Sequence, residues 1–122
     1  MFAKLHTELA RYSNPAHLLS TGEDGRPHTV AVSVMWDGDQ LLLSAGKRSL
    51  ANVAARKLVS VLWGAASASD YSLIIDGEAL VSGSGEHAQV RVTITRAVLH
   101  RPGAKLTPTA SVCGSDCVPL FG

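Results

Sequence analysis

The sequence predicts a mainly β (α+β) domain: a six-stranded antiparallel barrel, closed or split, with one or two short helices. Three observations carry this prediction. Apolar residues alternate with polar ones through most of the chain, which is the pattern of half-buried strands. Turn signals rich in Gly, Asp, Asn and Pro separate these runs at short intervals. A helical period appears in two places, near the N-terminus and in mid-chain. Consecutive antiparallel strands with a single helical crossover fit a barrel better than a parallel α/β sheet.

The elements follow in chain order. Phe2, Leu5 and Leu9 share one helical face and Lys4, Glu8 and Arg11 the other, and Ser13-Asn14-Pro15 ends this helix. Ala16 to Ser20 is a short apolar run, closed by the turn signal Glu23-Asp24-Gly25-Arg26. From Pro27 the period is two: His28, Val30, Val32, Val34 and Trp36 share one face, and Thr29, Ala31, Ser33 and Met35 the other. Asp37-Gly38-Asp39 is a hairpin turn, from which Gln40 to Ser44 returns. Ser49 is a plausible N-cap for a helix to about Lys57, with Leu50, Val53 and Ala54 inward. Leu58 to Trp63, Tyr71 to Val81 and Gln89 to His100 are the remaining strands, with a bulge expected at Gly77. Residues 1–101 form the barrel. Residues 102–122, rich in Gly, Pro, Ser and Thr, read as an irregular tail of the same domain, whose apolar end Leu120-Phe121 folds back as an anchor.

Composition excludes several classes of function. The 122 residues amount to one domain with one core, 46% hydrophobic and 17% charged. A formal net charge of +1 argues against a general nucleic-acid binder. No apolar run is long enough to span a bilayer, and the N-terminus lacks the pattern of a signal peptide, so a cytoplasmic protein without membrane contact is expected. In that compartment Cys113 and Cys117 stay reduced, and they are two ligands short of a zinc site, so no metal is expected. No Ser-His-Asp order, Gly-rich phosphate loop or paired-carboxylate site is present. His28, on the apolar face, reads as a structural histidine, and Trp36 and Trp63 as core or subunit interface.

Several segments, taken in order, carry a family resemblance. They are Leu18-Leu19-Ser20-Thr21-Gly22-Glu23-Asp24-Gly25-Arg26-Pro27-His28-Thr29-Val30; Met35-Trp36-Asp37-Gly38-Asp39; Leu41 through Val53 with Lys47-Arg48-Ser49 at its centre; and Val59-Ser60-Val61-Leu62-Trp63. Over about residues 5 to 101 the chain resembles the pyridoxamine 5′-phosphate oxidase-like superfamily of flavin- or deazaflavin-binding split barrels. The resemblance implies a homodimer with FMN in the groove between subunits, a small-molecule substrate and oxidoreductase chemistry. The deazaflavin coenzyme F-420, or a non-enzymatic flavin-binding role, is the alternative. It further implies a phosphate held by Lys47, Arg48 and Ser49, with Ser44, Ser33 and Val34 completing the cofactor site. The face of Thr29, Ala31, Ser33 and Met35 is either a plain solvent face or one that lets a flat isoalloxazine approach the backbone closely. The chain departs from the oxidases proper in showing Lys-Arg-Ser where Ser-Arg-Lys is usual, and it lacks their C-terminal extension, so vitamin B6 oxidation is not expected.

The chemistry of the Lys47-Arg48-Ser49 segment agrees with the resemblance. A helix N-terminus offers unpaired amides to an anion, Arg48 can form two parallel hydrogen bonds to a phosphate, and Lys47 acts as a point charge. Two cations before a helix also suit an ordinary solvated turn.

Overall fold

One segment of chain supplies both edges of one sheet, and this closes the barrel. In the computed structural model, which describes residues 3–13, 15–67, 70–102 and 115–121, the strands are β1 (Ala16–Thr21), β2 (Pro27–Val32), β3 (Val34–Asp37), β4 (Gln40–Ser44), β5 (Leu58–Trp63), β6 (Ser72–Ser82), β7 (Gln89–Pro102) and β8 (Ser115–Phe121). The helices are α1 (Ala3–Leu9) and α2 (Lys47–Ala55). The sheet runs β2-β1-β5-β6-β7-β4-β3, with β8 also paired to β7. All pairings are antiparallel. The first and last strands of this order are consecutive in sequence, separated by Ser33 alone. The sheet must therefore coil until its edges meet.

The expected alternation holds through the closing segment. His28, Val30, Val34 and Trp36 are half-buried and Val32 is buried, whereas Thr29, Ala31, Ser33 and Met35 are exposed. The turn at Asp37-Gly38 also forms as expected, with Gly38 at φ 63°, where a side chain would be strained. The core gathers fully buried Leu18, Leu41, Leu43, Val61, Leu73, Ile75, Val90 and Val92 from five of the strands, with Leu5 of α1 beneath them.

The bulge expected at Gly77 is present. The β6–β7 register runs Asp76 to Arg96 and then Gly77 to Ile94, so Thr95 has no opposite residue. Its hydroxyl donates to the Asp76 carbonyl at 3.2 Å. The extra residue resets the inward face of β7 from Val90, Val92 and Ile94 to Ala97 and Leu99. Glycine is needed because a Cβ at position 77 would lie 2.5 Å from the Thr93 carbonyl oxygen and from Val92 Cγ1.

Three expectations are corrected. Among the described residues the strands number eight rather than six: the long strand from Pro27 divides at Ser33, where it passes from one sheet edge to the other, and the C-terminal segment adds another. That segment is not wholly irregular, since β8 pairs with Ala97–Pro102 on the side of β7 that β4 leaves open beyond Thr93. Leu120 and Phe121 pack partly buried against the core, as anchors. Ser49 is not a cap, because α2 begins at Lys47 with Gly46 as its N-cap and no side-chain cap bond. The buried face of α2 is Ser49, Asn52 and Val53, while Ala54 is exposed.

Two measurements check this account. Gly77→Ala should destabilise by roughly 1–3 kcal/mol, since the backbone oxygen it meets cannot move without opening the ladder; urea unfolding with an unchanged midpoint would contradict the bulge geometry. Ending the chain at Pro102 should lower the melting temperature. Burying a Leu or Phe fully contributes roughly 1.5–3 kcal/mol, and each is only half-buried here. An unaltered melting curve would show that β8 contributes nothing.

Candidate functional site

The site grows from the place where the barrel closes. Ser33, between β2 and β3, accepts a hydrogen bond at 3.4 Å from the backbone amide of Ser44, the last residue of β4. Val34 pairs with Leu43, one residue from Ser44. Two residues, Ala45 and Gly46, then carry the chain into α2, whose first turn holds Lys47, Arg48 and Ser49. The fold thus gathers Ser33, Val34 and Ser44 at one junction and starts α2 beside it.

The first turn of α2 is open toward solvent. Lys47 and Arg48 are exposed, and neither has an ion-pair or hydrogen-bond partner among the described residues. The first intrahelical bond runs from Leu50 to the Gly46 carbonyl, so the amides before it have no acceptor within the helix. A Cβ placed on Gly46 would meet nothing within 4 Å. Ser49, by contrast, is 1% exposed, with its hydroxyl beneath the helix.

Arg48 also lines a cavity of about 560 Å³ together with Asn52, His28, Arg26 and the hairpin turn at Gly22 to Asp24. Directional bonds hold α2 beside it. Asn52 Nδ2 donates to Ser20 Oγ at 3.1 Å, and Arg56 Nε donates to the Thr21 carbonyl at 2.7 Å. His28 sits opposite Ser20 in the β1–β2 ladder. Its Nδ1 is buried and has no hydrogen-bond partner. His28, read from the sequence as a structural histidine, lines the same cavity as Arg48, while its Nδ1 lies buried behind that wall. Leaving such an atom unpaired costs about 1–3 kcal/mol.

Asn52 and Arg26 were missed by the sequence reading. Asn52 had a signal, because it stands four residues after Arg48 and so on the same helix face, at an interior position that Asn disfavours. Arg26 had none, as it looks like any turn residue. Of the other residues singled out, Cys117 is exposed on β8 opposite His100, and Cys113 lies outside the described residues. The Arg101 guanidinium lies 4.4 Å above the Tyr71 ring. Among the described residues, no helix is long and apolar enough to cross a membrane.

Known proteins place this geometry. No family model matches the chain. Uncharacterised proteins of Mycobacterium bovis and Mycobacterium tuberculosis are 37% identical over 117 residues, covering 84% of this chain and 82% of theirs. The chain belongs to one family with them. Among solved structures, a protein from Listeria innocua assigned as a pyridoxamine 5′-phosphate oxidase superposes with a TM-score of 0.65 at 18% identity, covering 79% of this chain and 94% of its own. Its fold is the pyridoxamine 5′-phosphate oxidase-like split barrel. An F420 reductase has the same fold, with a TM-score of 0.60 at 16% identity over 74% of this chain and 93% of its own.

In this split barrel the unpaired His28 nitrogen makes a prediction of unusual sign. His28→Leu should leave the stability of the ligand-free protein unchanged or raise it by about 1–2 kcal/mol, because an unsatisfied polar atom is replaced by an apolar one. Urea unfolding that shows a loss of more than about 1 kcal/mol would mean that the imidazole is already satisfied.

Proposed function

We propose that this split barrel is an oxidoreductase that binds FMN in a groove between two copies of the chain, with a small molecule as substrate. The deazaflavin coenzyme F-420 is the second reading, favoured by the shared fold of the F420 reductase. One observation carries the proposal: the start of α2 without a side-chain cap, with Lys47 and Arg48 lacking partners among the described residues, beside a cavity lined by Arg48. This set of donors fits a phosphate group, since it offers free amides, a bidentate guanidinium and an ammonium with no carboxylate paired to either cation.

Each residue then has a role. Arg48 grips the phosphate through two parallel hydrogen bonds, Lys47 adds charge, and Ser49 contributes its backbone amide, because its hydroxyl is buried. Ser33, Val34 and Ser44 line the ring end of the site. From Thr29 to Ser33 the strand rises about 13 Å, room for the ring system and part of the chain of a mononucleotide along the small exposed side chains of Thr29, Ala31 and Ser33. The bound cofactor supplies hydride chemistry, and the chain supplies binding, orientation and exclusion of water. The second copy covers the outer face that leaves Met35 62% exposed. The C-terminal segment 102–122 belongs to the same functional unit.

Mass spectrometry of whatever co-purifies, followed by titration of the cofactor-free protein with FMN and with the deazaflavin, separates the two readings. Arg48→Ala should weaken the preferred cofactor about tenfold to a hundredfold, and Lys47→Ala less. Unchanged affinity in both variants would reduce the α2 start to a solvated turn. Sedimentation should give a dimer at micromolar concentration. A monomer would overturn the groove.

A further inference from the structure

A second cavity, of about 480 Å³, lies between α1 and the closing strand. It sits apart from the Arg48 cavity, and its chemistry is of another kind. The chain has only two Trp, two Tyr and two Phe. Three of these six, Trp36, Trp63 and Tyr12, line this cavity, and the imidazole of His6 adds a fourth ring. The His6 and Trp36 ring centroids are 4.0 Å apart at an interplanar angle of 40°. No Asp, Glu, Lys or Arg is among the lining residues.

The scaffold around the cavity is held from both sides. Leu5 of α1 is fully buried in the core, so the helix cannot lift off freely. The Tyr12 hydroxyl donates to the Tyr71 carbonyl at 2.8 Å, which occupies its polar end and leaves the ring to the cavity. Trp63 is nearly buried at the end of β5. At the mouth lies Met35, on the face that the second copy is proposed to cover, so its adaptable thioether would sit between ligand and partner. The rings line an open groove whose volume falls within the range of small-molecule pockets, about 300–1,000 Å³.

We propose that this cavity binds a planar, uncharged aromatic molecule of about two fused rings. Aromatic walls favour stacked or edge-to-face contact with another ring, and the absence of charged groups disfavours a charged one. Ser13 and the His6 imidazole are polar lining residues able to orient such a ligand. The inference does not rest on the phosphate contacts of the cofactor reading, because none of Lys47, Arg48 or His28 lines this cavity; Val34, placed at the ring end of the cofactor site, lines it too.

Both tryptophans of the chain lie in the cavity wall, so their two indole Nε1–H resonances report on it directly. The test is titration of the ¹⁵N-labelled, cofactor-free protein with 2-naphthol, with cyclohexanol as the aliphatic control. Both indole signals should shift saturably with 2-naphthol and remain in place with cyclohexanol. Ala10 is exposed on the rim, so Ala10→Arg reaches into the cavity without disturbing the core, and it should weaken binding at least tenfold. His6→Ala, also on an exposed residue, should weaken it about fivefold to tenfold and serves if the arginine variant does not fold. Lys47→Ala and Arg48→Ala should leave 2-naphthol binding intact, which keeps this outcome separate from that of the phosphate site. Indole signals unmoved up to the solubility limit, equal response to cyclohexanol, or full affinity in the folded Ala10 and His6 variants would each overturn the proposal.

Discussion

The structure depends on a single covalent constraint: β2 and β3, the two edges of the sheet, are joined through Ser33 alone. β2 bonds to β1 and β3 to β4, at opposite ends of the strand order. A flat or gently twisted sheet would hold these edges far apart, so satisfying both ladders forces the sheet to coil on itself. The inward side chains of five strands then face one another. Eight of them, from Leu18 to Val92, reach full burial without any helix crossing the interior. The same constraint explains why Ser33, Val34 and Ser44 are neighbours although eleven positions of chain separate the first from the last.

Closure also demands local bending, which the β6–β7 pair supplies. These are the longest strands, and eleven residue pairs join them. A regular ladder of that length would resist the curvature. The unmatched Thr95 and the bare Cα of Gly77 concentrate the bend at one place and change which side chains of β7 face inward. Beyond the bend β7 leaves β4 and takes β8 as its partner, so the C-terminal segment occupies an edge that would otherwise present unpaired amides.

Much of this was legible in the sequence because period-two alternation is a strong local signal. The inward set from His28 to Trp36, the Asp37-Gly38 turn, the Gly77 bulge and both helices could be read from spacing and turn chemistry. The division at Ser33 could not, because alternation runs unbroken through it and the change of partner strand is purely a tertiary event. β8 was hidden by the Gly and Pro around it and by Pro119 within it, a residue that an edge position tolerates and a central strand does not. At the site, the basic pair at the start of α2 stood out, whereas the unpaired nitrogen of His28 depends on where Asn52, Ser20 and the hairpin turn end up in space. Ser49 was mistaken for a cap because Ser before an apolar run usually is one, but here Gly46 lets the helix start two residues earlier.

The distribution of buried polar groups adds a further argument about α2. Among the described residues the buried polar side chains are Ser20, Ser49 and Asn52; all three belong to α2 or β1, and Ser20 and Asn52 bond to each other. An apolar contact there would hold the helix to the barrel equally well, since buried polar pairs gain little over well-packed hydrophobic ones. Hydrogen bonds differ from apolar packing in being directional. The Asn52–Ser20 bond, together with the bond from Arg56 to the Thr21 carbonyl, fixes the rotation of α2 about its own axis. Rotation is the one degree of freedom that decides whether Arg48 faces His28 or turns toward open solvent. The polar contacts under α2 therefore act on the geometry of the cationic end of the helix more than on the stability of the barrel.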